Sequence, residues 1–218
     1  MNTQVSIRLY NSCDKPAVRK ICSDTADLGR PVENFFYDRE VFADLVIRYY
    51  TDFEPRSLWV ADHQGRAAGY LSGCLDSRRY MRIMLTGIIP GVFVRAALRG
   101  AFWRRDTWQL LKAGLKSLLL GSFNRKDIFD AYPAHLHINL EEAFRHQGLG
   151  AKLIERFLEQ LRQLHLSGVH ASVCQDNRPA CVFFERLGFS ALGRYPMMRP
   201  EKMKGLKSTY TVIYGKSL

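Results

Sequence analysis

The chain has 218 residues, of which 47% are hydrophobic and 24% are charged, and its net charge is +11. This length and composition fit a soluble globular domain with one buried core and exclude a disordered or fibrous chain. The five cysteines form no Cys-x-x-Cys pair, and the N-terminus lacks the basic and then apolar pattern of a signal peptide. We therefore expect a cytoplasmic protein.

The first third of the chain predicts a strand, two amphipathic helices and a two-stranded hairpin. The strands are predicted at residues 5–10, 57–61 and 67–75, with a turn at 62–65 in the hairpin. The helices are predicted at residues 14–27 and after Asp38, which suits an N-cap position.

Residues 77–131 form a basic and apolar segment that follows the third predicted strand. Residues 78–126 carry eleven basic side chains against Asp106, a net charge of +10, so the remainder of the chain is nearly neutral. We predict two or three helices, broken at Pro90-Gly91, Gly100 and Gly121-Ser122. Arg95 and Arg99 interrupt the apolar run before it reaches the roughly 20 residues of a transmembrane helix, so no span is predicted.

The loop Arg145-His146-Gln147-Gly148-Leu149-Gly150 follows a predicted strand, residues 135–140, and opens an amphipathic helix that begins near Ala151. The apolar face of this helix continues to Leu164, and Gly168 suits its exit turn. Glycines let the backbone approach a ligand closely, and the N–H groups at the helix start can converge on an anion. The loop therefore predicts a pyrophosphate site, although a plain strand-to-helix turn has the same glycine spacing.

A second block, residues 177–189, follows a strand predicted at 169–174 and reads as a turn, a short helix and a strand. Together, Arg-x-x-Gly-x-Gly and Asn-x-x-Ala-x-x-Phe-Phe-x-x-x-Gly-Phe resemble the acyl-CoA-binding half of the GNAT N-acetyltransferase superfamily. The resemblance covers residues 132–218 well and residues 1–76 loosely. Strands at 189–195 and 208–214 complete the predicted order.

This resemblance implies an α/β fold with a central mixed β-sheet flanked by helices. Residues 1–218 then form a single domain, and the basic helical segment is an insertion between the third and fourth strands. The implied activity is acetyl transfer from acetyl-CoA, a cosubstrate, to the amine of a small molecule or peptide by direct attack on the thioester. The implied cofactor-binding residues are Ile138, Asn139, Leu140, Arg145, His146, Gln147, Gly148, Leu149, Gly150, Ala151, Asn177 and Phe184.

Several residues are candidates for the proton route of the predicted site. His135, His137 and Asn139 alternate along one strand and share a face. His137 is the first candidate for general base, because histidine ordinarily titrates near neutrality, and Glu141 is the second, acting through water. Hydrogen bonding within the sheet explains these histidines equally well. His135 and His137 also form a His-x-His pair, but no third metal ligand has a suggestive spacing.

Phe184 stands where many members of the family have a tyrosine that protonates the leaving thiolate. Phenylalanine has no proton to give. Three alternatives follow: the thiolate leaves unassisted, Tyr195 or another hydroxyl replaces the tyrosine, or the protein binds acyl-CoA without catalysis.

The basic segment leaves four interpretations open. It covers the acceptor site and attracts an anionic acceptor, lies on an acidic membrane surface, binds nucleic acid, or supports the core or a homodimer. The alternative function is accordingly a non-catalytic acyl-CoA-binding module that docks a partner through this segment. Residues 132–138 also resemble acetyltransferase-like domains associated with O-GlcNAc hydrolases, a short similarity that transfers no acceptor.

Overall fold

A computed structural model describes residues 5–121, 126–198 and 210–218. The predicted break at Ser122 and the predicted start of the last strand at Ser208 lie outside the described residues.

A mixed β-sheet runs through the molecule, as predicted. Within the described ranges it has seven strands in the order β1-β2-β3-β4-β5-β7-β6, and β4 and β5 form its parallel pair. The strands are β1 (Ser6–Leu9), β2 (Leu58–His63), β3 (Arg66–Cys74), β4 (Ala134–Leu140), β5 (Gly168–Cys174), β6 (Ser190–Pro196) and β7 (Tyr210–Ser217).

Helices cover both faces of this sheet, because each face carries an apolar cluster that must be buried. One cluster packs the first two helices and the helical segment onto one face, and the other packs α8 and α9 onto the opposite face. The helices are α1 (Lys15–Asp24), α2 (Arg39–Val46), α3 (Arg48–Asp52), α4 (Ser77–Ile83), α5 (Ile89–Leu98), α6 (Arg105–Leu119), α7 (Lys126–Ala131), α8 (Leu149–Gln163) and α9 (Arg178–Arg186).

The predicted elements of the first third are confirmed, with different ends. The β2–β3 turn has two residues rather than four, since Gln64 and Gly65 both have positive φ, +57° and +80°. This is the backbone of a tight hairpin turn. The prediction that Gly168 lies in the exit turn of α8 is wrong: the helix ends at Gln163, Leu164 is half exposed, and Gly168 begins β5.

The basic segment is helical between β3 and β4, but the predicted break at Pro90-Gly91 is wrong. A π-helical turn, Met84–Ile88, joins α4 to α5 without interruption. Ile89 N–H donates to Met84 O, five residues back, and the extra residue in this turn lets the helix continue through Pro90, which has no N–H to donate. The predicted breaks at Gly100 and Gly121 are confirmed, each glycine having a left-handed φ.

The continuous helix Ser77–Leu98 is long and apolar enough, by length and composition alone, to cross a membrane. This is weak evidence for a span, because core helices of soluble proteins pass the same test. Arg95 and Arg99 tie the helix to the body of the protein instead: Arg95 pairs with Asp44 at 2.6 Å and Arg99 with Asp38 at 2.5 Å. Part of the predicted basic charge therefore serves the fold.

We predict that Asp38→Ala lowers the free energy of unfolding by about 1 kcal/mol through the lost helix cap alone. The Asp38 carboxylate accepts hydrogen bonds from the N–H groups of Glu40 and Val41 and also holds Arg99. Denaturant unfolding measures the loss. Asp38→Asn is the matched control, because asparagine keeps the cap and removes only the charge.

The same pair of variants tests a pH dependence. Burial raises the pKa of the Asp38 carboxyl, but the hydrogen bonds from Arg99 and from Val41 N–H outweigh burial and hold the pKa below its ordinary value. A depressed carboxyl pKa stabilises the fold above the pKa of the unfolded chain, about 3.9, and this contribution is lost as the pH falls through the folded pKa. Wild-type protein should therefore lose more stability than Asp38→Asn on acidification below about pH 4. Equal losses contradict the assignment.

Candidate active site

The sheet opens between its two parallel strands. Residues Ala134, His135 and Leu136 of β4 pair with Val169, His170 and Ala171 of β5, and the pairing ends there although both strands continue. The gap leads into a cavity of about 930 Å³, lined on one side by Ile138, Asn139 and Leu140 and on the other by Val173 and Cys174. The backbone edge of β4 that faces the gap is thus released from sheet pairing.

The predicted anion loop forms one end of this cavity, which is the larger of the two cavities at the gap. Gly148 has φ +75° and is the N-cap of α8, and the first hydrogen bond of the helix runs from Lys152 N–H to Gly148 O. The preceding N–H groups have no intrahelical partner and carry the positive end of the helix dipole. A Cβ on Gly150 would lie 3.1 Å from the Phe183 ring, so glycine permits close packing there.

Some side chains of the anion loop line the cavity, and others bond or pack elsewhere. The Arg145 guanidinium donates to Leu140 O at 3.1 Å and to Gly29 O at 3.4 Å, so it ties the loop to the end of β4 and to the α1–α2 connection. His146 and Ala151 line the cavity with Arg145, Gly148 and Gly150. Gln147 and Leu149 do not line it: the amide of Gln147 donates to Ala143 O, and Leu149 is buried in the core.

Asn139 is fixed from the opposite side of β4. Its amide donates to Tyr70 Oη at 2.9 Å, and its Oδ1 lies 3.0 Å from the Thr25 hydroxyl. These bonds turn the side chain away from β5, towards α1 and β3. The strand end that borders the cavity is therefore held rigid while its backbone stays exposed.

Asn177 and Phe184 both line the larger cavity from α9. Asn177 is the N-cap of α9, with its Oδ1 accepting from Ala180 N–H at 3.3 Å. The Phe184 ring is buried, stacks on Tyr214 and contacts Phe183 and Phe189 edge-on. The position predicted to lack a proton donor is thus an apolar wall of the cavity.

A smaller cavity of about 340 Å³ lies on the other side of the gap. Among the described residues, four side chains border both cavities. They are Leu136, His137, Ser172 and Cys174. The wall of the smaller cavity is otherwise formed by Ser77, Tyr80, Met81, Phe129, His135, His170, Met197 and Thr211. Burial raises the pKa of the Tyr80 phenol to about 12, which leaves Tyr80 a neutral hydroxyl in this wall.

The two neighbouring histidines of β4 differ in their surroundings. Both ring nitrogens of buried His135 are engaged, Nε2 with Tyr50 Oη and Nδ1 with Ser77 Oγ, each at 2.8 Å. Ser77 Oγ also lies 2.7 Å from Pro133 O, which takes its proton, so Nδ1 of His135 is the donor to Ser77. His137 is half-buried at the junction of the cavities, its ring centroid 6.1 Å from that of Tyr50.

Two of the predicted catalytic residues do not line either cavity. The Glu141 carboxylate forms a two-pronged ion pair with Arg66, at 2.7 and 2.8 Å. Tyr195 lies on β6, opposite Thr211 of β7, and shares the sheet face of the smaller cavity without reaching it. The structure thus brings His137 to the junction and leaves Glu141 and Tyr195 outside it.

Sequence reasoning missed the contribution of β5. His170, Ser172 and Cys174 all line the smaller cavity and alternate with the apolar Val169, Ala171 and Val173. This period of two was visible in the sequence and resembles the pattern used for β4. In the part of the chain that the structure describes, no group of three His, Cys, Asp or Glu side chains is placed to hold a metal ion.

Comparison with known proteins points to one family. The model of the acetyltransferase (GNAT) family matches residues 122–189. This part of the chain contains β4 and β5, which border both cavities, and the anion loop. The crystal structure of SsHAT is similar over 98% of each chain, with 27% sequence identity and a TM-score of 0.73. Residues 122–189 thus match the GNAT acetyltransferase family, and the similarity to SsHAT extends over the rest of the chain.

More distant structures share the GNAT fold over almost the whole chain. The polyamine N-acetyltransferase of Drosophila melanogaster, an enzyme that forms N-acetylagmatine, is 15% identical over 99% of this chain and 100% of its own, with a TM-score of 0.64. The yncA protein of Salmonella typhimurium, solved with acetyl-CoA, is 15% identical over 99% of this chain and 94% of its own, with a TM-score of 0.58. The family match and these structures together support an N-acetyltransferase that uses acetyl-CoA and acts on amines.

Proposed function

We propose that acetyl-CoA occupies the larger cavity and that a small amine in the smaller cavity attacks its thioester directly. The observation that carries this proposal is that the two cavities meet at His137. A thioester and an amine placed on the two sides of this junction come into contact without a covalent enzyme intermediate. Holding both reactants in this way lowers the entropic part of the activation barrier.

In this arrangement the pyrophosphate binds the free N–H groups at the start of α8, between Gly148 and Ala151. The pantetheine arm then lies along the unpaired backbone edge of residues 138–140. The N–H and C=O groups of this edge can bond the amides of the arm as they would bond a neighbouring strand. Phe184 and Asn177 border the arm from α9.

His137 takes the proton of the attacking amine. Among the described residues, His137 is the histidine that borders both cavities, whereas His135 and His170 border the smaller cavity alone. The departing thiolate meets Ser172 and Cys174 at the junction rather than a tyrosine. Because a thiolate is a good leaving group, weak assistance from such a side chain is sufficient.

The acceptor is a compact amine without a second positive charge. Among the described residues that line the smaller cavity, none is a carboxylate, and the wall is built from histidines, methionines, hydroxyls and aromatic rings. A second ammonium group would be desolvated there without a partner, which costs several kcal/mol as an order of magnitude. A cytoplasmic location remains part of the same proposal.

The test is turnover with a matched panel of acceptors. Acetyl-CoA and purified protein are incubated with aromatic and aliphatic monoamines and with diamines of equal chain length, and released thiol and acetylated amine are both quantified. We expect equal amounts of the two products and at least a tenfold preference, in order of magnitude, for monoamines. Tight CoA binding without turnover on any amine supports the non-catalytic module and contradicts the proposal.

A further inference from the structure

Helix α6 exposes large apolar side chains that a surface helix of a soluble protein normally buries. Its buried face consists of the small or polar residues Asp106, Thr107, Ala113 and Ser117. The opposite face consists of large apolar side chains: Trp108 is 50% exposed, Leu115 59%, Leu118 59% and Leu119 78%. A surface helix normally buries such residues, so this face indicates an external partner.

The exposed face of α6 continues onto the neighbouring helix α5. The Phe93 ring stacks on Phe102, with centroids 6.2 Å apart, and Phe102 lies 6.1 Å from Trp108. Leu98 and Trp103 extend this surface and are 84% and 92% exposed. We call these residues the outer patch: Phe93, Val94, Leu98, Trp103, Trp108, Leu115, Leu118 and Leu119.

Positive charge borders the outer patch. Arg105, Lys112 and Lys116 follow one another along α6 at spacings of seven and four, beside the apolar stripe, and all are exposed. None of the three forms an ion pair with a carboxylate among the described residues, in contrast to Arg95 and Arg99. The acidic residue of α6, Asp106, is buried on the other side of the helix.

We propose that the outer patch docks the enzyme onto the surface of an anionic lipid bilayer, with α6 lying in the plane of the interface. Leucine and tryptophan side chains enter the boundary between headgroups and acyl chains, and the flanking cations meet anionic headgroups. Charge complementarity favours this partner over a second copy of the chain, which would bring the same cations together. Nucleic acid explains the cations but not the leucines.

The fold limits how deep the contact goes. Only the twelve residues 83–94 separate Arg82 from Arg95, whereas a span needs about 20 apolar residues. On the inner side of the same helical run, Met84, Ile88 and Val92 are buried in the core. The helix therefore stays with the body of the protein, and the enzyme lies on the membrane without crossing it.

The test is sedimentation of the intact protein with vesicles of phosphatidylcholine, with and without phosphatidylglycerol. We expect binding to the anionic vesicles, weakening with added salt, and a blue shift of tryptophan emission from Trp103 and Trp108. Lys112→Gln with Lys116→Gln is expected to weaken partitioning about 25-fold, since each of the two basic residues near an anionic surface contributes a factor of about five. Leu115→Ser with Leu119→Ser is expected to do at least as much.

Arg162→Gln with Leu164→Ser is the matched control, because it removes one exposed cation and one exposed leucine from the end of α8, on the other face of the sheet. This control should partition like wild type. All substituted side chains are exposed, and CoA binding verifies that each variant is folded. No binding to anionic vesicles, or equal binding by the leucine variant, overturns the proposal. A leucine-dependent dimer without lipid, or a DNA affinity that survives the leucine substitutions, overturns it in favour of the other partners.

Discussion

Gly148→Glu is expected to weaken CoA binding about 100-fold. The substitution places a carboxylate at the start of α8, where the proposed pyrophosphate accepts its hydrogen bonds. Two like charges a few ångströms apart at a protein surface repel by about 3 kcal/mol, which corresponds to the expected loss of affinity. Isothermal titration calorimetry with CoA measures the change.

Gly148→Ala is the control for backbone strain. Both variants force a side chain into φ +75°, which costs roughly 1–2 kcal/mol. No atom of the described residues lies within 4 Å of the position that the new Cβ would take, so these residues add no clash. Alanine should therefore retain most of the affinity that glutamate loses. Unchanged affinity in Gly148→Glu contradicts the assignment of this loop to the pyrophosphate, whereas equal losses in the two variants show that strain alone is responsible.

His137→Ala is expected to lower kcat about 100- to 1,000-fold, the usual contribution of a general base. The KM for acetyl-CoA should stay within about threefold, because the cofactor loop and the β4 backbone are unchanged. Steady-state kinetics with a monoamine acceptor gives both values. His165→Ala, which removes an exposed histidine after α8, should leave both unchanged.

A pH profile separates a base from a merely structural residue. Without a base, only amine that has already lost its proton reacts, so the rate of His137→Ala should rise about tenfold per pH unit until the pKa of the amine, about 10, is approached. Wild-type protein should level off at lower pH. A variant that is uniformly slow at every pH contradicts the role of base and indicates a positioning role instead.

Much of the cofactor side of the site was predictable because it depends on local chain geometry. Gly148 has the positive φ that its predicted turn requires, and Asn177 caps α9 where the sequence placed a helix start. Such features are determined within a few residues of chain. The larger cavity follows from them once β4 and β5 are parallel neighbours.

The acceptor side depends on contacts between distant segments and was largely missed. Ser77, Phe129 and Thr211 come from three separate parts of the chain, and no spacing relates them. Glu141 shows the same dependence on distant contacts. It follows His137 by four residues, and nothing in that spacing indicates its ion pair with Arg66. The break predicted at Pro90 was wrong for a different reason. A proline usually ends or kinks a helix, and the spacing of the sequence did not indicate the π-helical turn that precedes Pro90 and lets the helix continue.

Helix α6 carries the outer patch on one face and contacts the wall of the smaller cavity through the other. Ser117 Oγ, on its inner face, accepts a hydrogen bond from Met198 N–H at 2.8 Å, and the adjacent Met197 lines the smaller cavity. One hydrogen bond therefore anchors this part of the smaller cavity's wall to α6. A partner bound to the outer patch would press on a helix whose inner face supports the cavity in which we propose that the amine binds.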